Sequence, residues 1–568
     1  MSNVKEKTEK EKLKAEIERL KKELKKRKKY GLVWEEKPEE VVEMCKEKLP
    51  VLKEVKNKEI ITDKDKPVNL LIEGDNYHAL SVLNYTHAKK VDVIYIDPPY
   101  NTGSRSWKYN NNYVEKDDAY RHSKWASFMQ KRLKLARDLL KKDGIIVCTI
   151  DDNELYPLGL LMERVFQENN RIGVIVVESN PRGRTTHTFF ATSHEYYLIY
   201  ARNADAVKIE NIPLTEEQKN LFNLEDQISR YRLLPLRRSG GLSTPEERPN
   251  SFYPIHFDEE HNIISVEKVQ KSVEIFPIDS NGRKRVWRIT PPSLQEAIDR
   301  GDIVIRKGRN GNYVVYMKDR IKGGRKPKTI WISPKYDAST HGTVLLQSIF
   351  GKRGIFEYPK SLHAVVDTLR LFTRNNKRAL ILDFFAGSGT TGQAVLGLNK
   401  EDSGNRQFIL CTNNENNICT GVCYPRIKKV IEGYKNLKGE KVEGLGGNLK
   451  YFKTDFVDYD EPTDKNKIKL TQQATEMLCV KEGTFEKVLD QKNFKIFKNT
   501  NHYTGVIFDQ AAIPTFKKAI KDIKGKISVY VFSLGDETFD DEFKDVKQKV
   551  QLSPIPEAIL RVYRRIFK

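Results

Sequence analysis

The chain has 568 residues and carries 100 Lys and Arg against 78 Asp and Glu, a formal charge of +22. That length points to about three or four domains, and the charge favours a polyanionic partner, most often nucleic acid, over an acidic small molecule. No apolar run approaches the roughly 18–20 residues that span a bilayer, and the polar, charged N-terminus is no secretory signal, so a soluble intracellular protein is expected.

Residues 5–29 are dense in Lys and Glu, and Leu13, Ile17, Leu20 and Leu24 recur at 4-3-4 spacing. That spacing predicts a short amphipathic helix with a coiled-coil seam, the core of a helical arm over 1–65. Such an arm can pair with a partner, touch phosphates through its lysines, or stand solvated. From about 66 to 204 the text alternates between strand and helix. Residues 69–75 read as a strand closing on Gly-Asp before a helix, and 91–97 as a buried strand. At 123–140 Trp125, Phe128, Leu133, Ala136, Leu139 and Leu140 recur at helical spacing. A third strand over 143–154 ends in acids, and a fourth lies at 193–203. Strands separated by helical patterns predict an open parallel sheet, hence an α/β fold.

Over 205–350 the rhythm breaks into polar, aromatic, Arg-rich text, too long for a loop and too patterned for disorder, which predicts an inserted domain. The α/β rhythm returns over 351–440. "ALILDFFAGSGTTGQAVLGLN" reads as strand, tight glycine turn and helix, and "RQFILCTNNE" as the following strand. Residues 441–568 mix short strands with a closing helix at 556–567, a small α+β domain.

Gly387, Gly389 and Gly392 spell GxGxxG after a strand and at the opening of a helix. Glycines there let the backbone pass close to a ligand, and the helix start offers free N–H groups. A P-loop fits poorly, because no Gly-Lys-Ser/Thr follows. A dinucleotide site needs an acid at the next strand end, where the chain has Cys411-Thr412-Asn413-Asn414-Glu415 and the acid comes late. The third reading is S-adenosylmethionine, whose methionine moiety lies across such a turn, with Asp383 on the ammonium and Phe385 packed on the cofactor. "DFFAGSGTT" favours that reading.

Asp97-Pro98-Pro99-Tyr100 decides among the three. Ligands of an open α/β sheet lie beyond the carboxyl ends of its strands, so Asp97 and the glycine turn face one crevice. The Asp97 carboxylate can accept a hydrogen bond from an exocyclic amine. On adenine such an amine is a poor nucleophile, its lone pair being delocalised into the ring. Held between Asp97 and the Pro98 carbonyl, the nitrogen turns pyramidal and aims its lone pair at a methyl group. The prolines fix that acceptor pair in place. Tyr100 can stack on the base for roughly 1–3 kcal/mol, comparable to the few kcal/mol needed to extrude it from a duplex. Asn101 to Gly103 read as a loop over the pocket, with Asn101 a candidate substrate contact. The bland alternative is a chance turn after a core strand.

Asp-Pro-Pro-Tyr is a hallmark of adenine methylation, and here the chain resembles the amino-methylating DNA methyltransferases. Clamp first, insert next and cofactor turn last is an order that resembles the β class. "EGDNYHAL", "IDPPYNTG", "TIDDNE", "HEYYLIYARN", "YPKS" and "DFFAGSGTTG", across roughly 66–437, resemble the modification (Mod) subunit of type III restriction–modification systems. The resemblance implies a circularly permuted, Rossmann-like class I methyltransferase core, with a catalytic half at 66–204, a target-recognition domain at 205–350 and a cofactor half at 351–440. It implies that Asp97 to Tyr100 bind a flipped adenine. It also implies that Asp383, Phe385, Ala386, Gly387, Ser388, Gly389, Thr390 and Thr391 cradle the methionine part of the cofactor. Asp75 would lie near the cofactor adenine, against a competing reading as a turn or helix cap. Lys360 would meet the cofactor carboxylate, against a reading as a surface lysine. One departure concerns the acid that binds the ribose hydroxyls. Thr412 stands at its place and Glu415 comes three residues late, able to serve only from the loop. Implied partners are double-stranded DNA, a second copy of the chain and a helicase–nuclease restriction subunit, in the cytoplasm of a prokaryotic cell.

In the insert, Arg237, Arg238, Arg283, Lys284, Arg285, Arg288, Arg325 and Lys326 sit among Tyr231, Tyr253, Trp287 and Trp331. Arginines read guanine edges while lysines neutralise phosphates, and Arg237 and Arg238 are the candidate contacts. Any single one of them reads more readily as a phosphate contact or plain surface charge than as a base reader. Asp151, Asp152 and Glu154 suggest a metal cluster, yet methyl transfer needs none and none is expected. Among the six cysteines, Cys419 and Cys423 can share a helix face near Cys411, but a zinc site lacks a fourth ligand, which leaves reduced, partly buried thiols. Methylation of cytosine, an RNA base or a protein amide is a second reading. Asp rather than Ser or Asn at position 97, together with the basic insert, argues for adenine in duplex DNA. A third reading is a recognition subunit that acts through partners, including those of another phage-defence system, and a stand-alone methyltransferase is also open.

Overall fold

The computed structural model describes residues 37–109, 112–183, 189–209, 211–308, 311–459, 463–535 and 537–567. The helix expected at 5–29 lies outside them. The chain divides into two compact units, one formed by 1–210 with 328–568 and the other by 211–327.

The first unit is built on a sheet of ten strands: β1 (Lys48–Glu54), β2 (Val68–Glu73), β3 (Val91–Ile96), β4 (Leu140–Ile150), β5 (Arg171–Val177), β6 (Glu195–Ala201), β7 (Ile330–Trp331), β8 (Leu380–Asp383), β9 (Gln407–Thr412) and β10 (Asn448–Asp458). Their order across the sheet is β1-β10-β2-β9-β8-β3-β4-β6-β5-β7. From β10 to β4 all neighbours run parallel. These strands carry near-continuous apolar runs because both faces are covered: Val91, Val93, Ile94, Tyr95 and Ile96 of β3 are all buried. Helices packed on the sheet complete an α/β architecture.

The expected all-parallel sheet is in fact mixed. β6 runs antiparallel to both β4 and β5, and β1 antiparallel to β10. Apolar periodicity fixes that a segment is extended, not the direction of its neighbour. β1 falls within the stretch expected to be a helical arm. Its Pro50 lacks a donor and is tolerated because β1 is an edge strand. β5 ("RIGVIVV") and the two-residue β7 are strands that the sequence pattern did not separate from their surroundings.

Beyond β10, a five-stranded sheet runs in the order Glu486–Asp490, Phe494–Lys498, Tyr503–Ile507, Ile527–Phe532, Val550–Ile555. It has its own core around Phe494, Ile507, Phe516 and Val529. The closing helix, Glu557–Phe567, buries Ile559, Leu560 and Tyr563 in the main core, where the Tyr563 hydroxyl donates to the Pro50 carbonyl. No helix among the described residues is long and apolar enough to cross a membrane.

The second unit, expected with boundaries at 205 and 350, is the shorter 211–327. It holds a four-stranded antiparallel sheet (Ile303–Lys307, Tyr313–Arg320, Arg230–Pro235, Leu224–Glu225), a three-stranded sheet centred on Ile255–Asp258, and a helix over Pro291–Asp299. Leu236, Ile255, Phe257, Trp287, Leu294 and Val315 form its core.

Candidate active site

β8 and β3 are parallel neighbours, with Leu382 opposite Ile94. Their carboxyl ends therefore set Asp383 and Asp97 side by side, although the two residues come from distant parts of the chain. This is the position at which an α/β sheet exposes its ligand crevice.

After Ile96 the chain leaves the sheet through Asp97-Pro98-Pro99-Tyr100. The corner is held from behind: the Trp125 indole, wholly buried, donates to the Pro99 carbonyl at 2.7 Å. Among the described residues the Pro98 carbonyl accepts no hydrogen bond, so of the two proline carbonyls it is the one left for a ligand. The Asp97 carboxylate accepts from the Thr149 hydroxyl at 2.7 Å and lies 3.1 Å from the Lys360 ammonium. Burial pushes the Asp97 carboxyl above its ordinary value. Lys360 pulls it back, Glu195 adds to the rise and the Thr149 bond lowers it.

Lys360 is no surface lysine. Its ammonium binds Glu195 at 2.6 Å, approaches Asp97 and donates to the Tyr100 hydroxyl, which itself donates to Glu195 at 3.1 Å. Burial works against that ammonium, but Asp97 and Glu195 outweigh it and raise its pKa. The surface-lysine reading is thereby excluded, and the ammonium takes an ion-paired place beside the clamp.

Asn101, expected over the pocket as a substrate contact, is wholly buried. Its amide donates to Glu154 and accepts from the Trp107 indole at 3.0 Å. Glu154 also holds His122 at 2.6 Å. Asn101, in the left-handed region at φ 53°, pins the loop after the clamp rather than offering itself to a ligand.

On the other side of the crevice, Asp383 closes β8 and the chain turns through Phe384 to Gly389 into the helix Thr390–Asp402. Gly387 and Gly389 have φ of 49° and 80°, a conformation that glycine adopts freely. Asp383 accepts from the Thr391 hydroxyl at 2.6 Å and the Phe385 N–H at 3.0 Å. Burial pushes its carboxyl up to about 7, against the pull of those two bonds and with the Asp97 charge adding to the rise. Among the described residues no cation lies within ion-pair distance of it. Phe385 packs on Phe128 at a ring separation of 5.9 Å. Ala386, Ser388, Thr390 and Thr391 are buried along the same turn.

The turn has a support that the sequence reading missed. Arg426, wholly buried, donates to the Ser388 hydroxyl at 2.9 Å, the Thr390 hydroxyl at 2.8 Å and the Gln393 side chain at 2.9 Å. Burial lowers its pKa to about 10. The local signal was a lone arginine on the apolar face of "YPRIKKVIE", beside Ile427 and Val430.

The remaining candidates separate. Asp75 caps the helix Asn76–Thr86, accepting the Tyr77 N–H at 2.7 Å, and lies 3.3 Å from buried Arg132. That is the cap reading. Thr412 ends β9 opposite Glu73, and Glu415 lies past the strand end on an irregular turn. Cys411, Cys419 and Cys423 are free, buried thiols. In the second unit, Arg237 donates to the Ile278 carbonyl and Arg238 to the Gly241 carbonyl at 3.0 Å, both partly exposed. Trp287 is buried there and donates to the Tyr253 carbonyl, and Arg285 is bound to Asp279, so these serve the unit's own fold. Trp331, grouped with them from sequence, belongs to β7 of the main sheet.

A family model described as DNA methylase matches residues 91–421. Over 380 residues the chain is 33% identical to the type III restriction-modification enzyme EcoPI Mod subunit of Escherichia phage P1, covering 61% of this chain and 58% of that protein. Over 386 residues it is 33% identical to the type II methyltransferase M.KpnI of Klebsiella pneumoniae, covering 65% of this chain and 89% of that protein. The match spans less than two thirds of the phage protein's length. Among solved structures, the M1.HpyAVI–SAM complex is 14% identical, covers 63% of this chain and 98% of that chain, and has a TM-score of 0.28, too slight a likeness to build on.

Proposed function

The chain belongs to the DNA methylase family, and from that premise we propose that it methylates the exocyclic N6 of adenine in duplex DNA, using S-adenosylmethionine, as the Mod subunit of a type III system. The observation that carries the reading is the meeting of two uncommon devices on adjacent strand ends: a rigid Asp-Pro-Pro-Tyr corner and a buried carboxylate under a glycine turn.

The site suits the donor. A carboxyl raised to about 7, with no cation within ion-pair distance among the described residues, is a place for an ammonium. When bound, S-adenosylmethionine supplies an electrophilic methyl group. The chain's own work is on the acceptor. Asp97 and the Pro98 carbonyl take the two N–H groups of an extruded adenine, and the Tyr100 ring stacks on the base. Preorganised acceptors of this kind need no rearrangement as charge develops on the nitrogen. The methylated nitrogen then sheds a proton to solvent.

Arg237 and Arg238 belong to the second unit, to which target recognition is assigned. A second copy of the chain and a helicase–nuclease subunit are the partners in this reading, in the cytoplasm of a prokaryotic cell. Asp97→Ala tests the assignment: S-adenosylmethionine binding by equilibrium dialysis is retained and methyl transfer to DNA is lost. Transfer at the wild-type rate by that variant refutes the role of Asp97.

A further inference from the structure

The Lys360 ammonium stands between two carboxylates, and the closer is Glu195, at 2.6 Å against 3.1 Å for Asp97. The ammonium already touches Asp97 Oδ1, the oxygen that also accepts from Thr149; left with Asp97 alone, it would close on the whole carboxylate that must accept the substrate amine. Glu195 sits at the head of β6, is itself buried, and also takes the Tyr100 hydroxyl. We propose that Glu195 is a positioning residue that draws the Lys360 ammonium toward itself and limits its hold on Asp97 to the 3.1 Å contact at Oδ1, keeping the other Asp97 oxygen open as the acceptor for the substrate amine.

The groups facing Asp97 come from every element around it. Tyr95 precedes it on β3; Cys148 and Thr149 lie on β4; Glu195 and Tyr197 lie on β6; Tyr100 follows in the clamp, Lys360 comes from the segment before the helix Leu362–Thr373, and Asp383 ends β8. Cys148 and the three tyrosines are held neutral by burial well above their ordinary values. The charges that set Asp97 are therefore Lys360 and Glu195. Removing Glu195 takes away a negative neighbour and lowers the Asp97 pKa while letting Lys360 close on it; removing Lys360 raises that pKa. A side chain that merely supports the fold moves neither in this opposed way.

This inference rests on the adenine-methylation reading, and two readouts keep the two separable. Steady-state methylation as a function of pH is compared for wild type, Glu195→Gln, Lys360→Met and the double variant. In Glu195→Gln, kcat/KM falls on the order of a hundredfold and its acid limb moves to lower pH. In Lys360→Met the acid limb moves to higher pH. The double variant is more active than Glu195→Gln, because no ammonium is left to occupy Asp97. Independently of turnover, the Asp97 titration is followed by carbon NMR of carboxyl-labelled aspartate, assigned with Asp97→Asn. Its midpoint falls in Glu195→Gln and rises in Lys360→Met. Additive losses in the double variant, or midpoints that do not move apart, overturn the proposal even where wild type methylates DNA. Midpoints that move as stated in a protein that methylates no adenine uphold the arrangement and sink the reaction reading. Should Glu195→Gln fail to fold, the double variant against Lys360→Met decides: with no ammonium left to draw away, losing Glu195 adds nothing to the Lys360→Met loss, and a further loss overturns the proposal.

Discussion

Replacing Asp383 with Asn removes a carboxylate whose ionised form the folded protein resists. Its carboxyl stands at about 7 against an ordinary 3.8, about three pH units, which at 1.36 kcal/mol each gives about 4 kcal/mol against ionisation. A folded-state pKa raised above the unfolded value stabilises the protein below the unfolded pKa, and that stability is lost as pH rises through the folded one. Ligand-free wild type is therefore expected to lose up to about 4 kcal/mol between pH 4 and 7 from this group. Asp383→Asn removes that dependence. Its amide oxygen serves only one of the two donors that Asp383 accepts, Thr391 and the Phe385 N–H, which costs about 1 kcal/mol. Above pH 7 the variant should still be the more stable protein, by about 2–3 kcal/mol. Urea midpoints at pH 5 and pH 8 read this directly. Binding runs the other way: a cationic ligand favours the ionised carboxylate, so wild-type affinity for S-adenosylmethionine rises with pH up to about 7 with release of a proton. Asp383→Asn binds weakly and without that dependence. A wild-type midpoint flat from pH 5 to 8, or an Asn variant that binds like wild type, refutes the reasoning.

Arg426→Met leaves Ser388, Thr390 and Gln393 without their common donor, so S-adenosylmethionine binding measured by calorimetry weakens while the far-ultraviolet circular dichroism of the fold persists. Unchanged affinity contradicts the support assigned to it. Gly392→Ala places a methyl 2.7 Å from the Ile427 Cδ1 and 3.0 Å from the Leu410 Cδ1. That overpacking costs about 1–3 kcal/mol, set against about 1 kcal/mol that Ala gains over Gly inside a helix; a net loss of up to about 2 kcal/mol lowers the melting temperature, and a raised one contradicts the close packing.

The two devices of the site were legible because each is a short contiguous pattern with a physical meaning: prolines ending an apolar strand, glycines opening a helix. What they touch was not. Lys360 was recognised, but its partner Glu195 lies on another strand, and no local periodicity links the two. Asn101 looked like a loop residue over a pocket, and only the arrival of Trp107 and Glu154 makes it an internal brace. Strand direction failed for the same reason. The apolar runs of β4 and β6 reveal burial, while their antiparallel pairing is decided by a connection that folds back through β5. In the second unit, Trp287 and Tyr253 stand among the candidate arginines in sequence, a pattern that suits both a binding face and the small domain's core to which they belong.

Methylation of adenine N6 is read by following the methyl group. The full chain, methyl-labelled S-adenosylmethionine and unmodified genomic DNA are incubated, and the DNA is digested to nucleosides and separated. Label is expected in N6-methyl-2′-deoxyadenosine and is lost with Asp97→Ala. Label in N4-methyl-2′-deoxycytidine, or none in the DNA, contradicts adenine methylation.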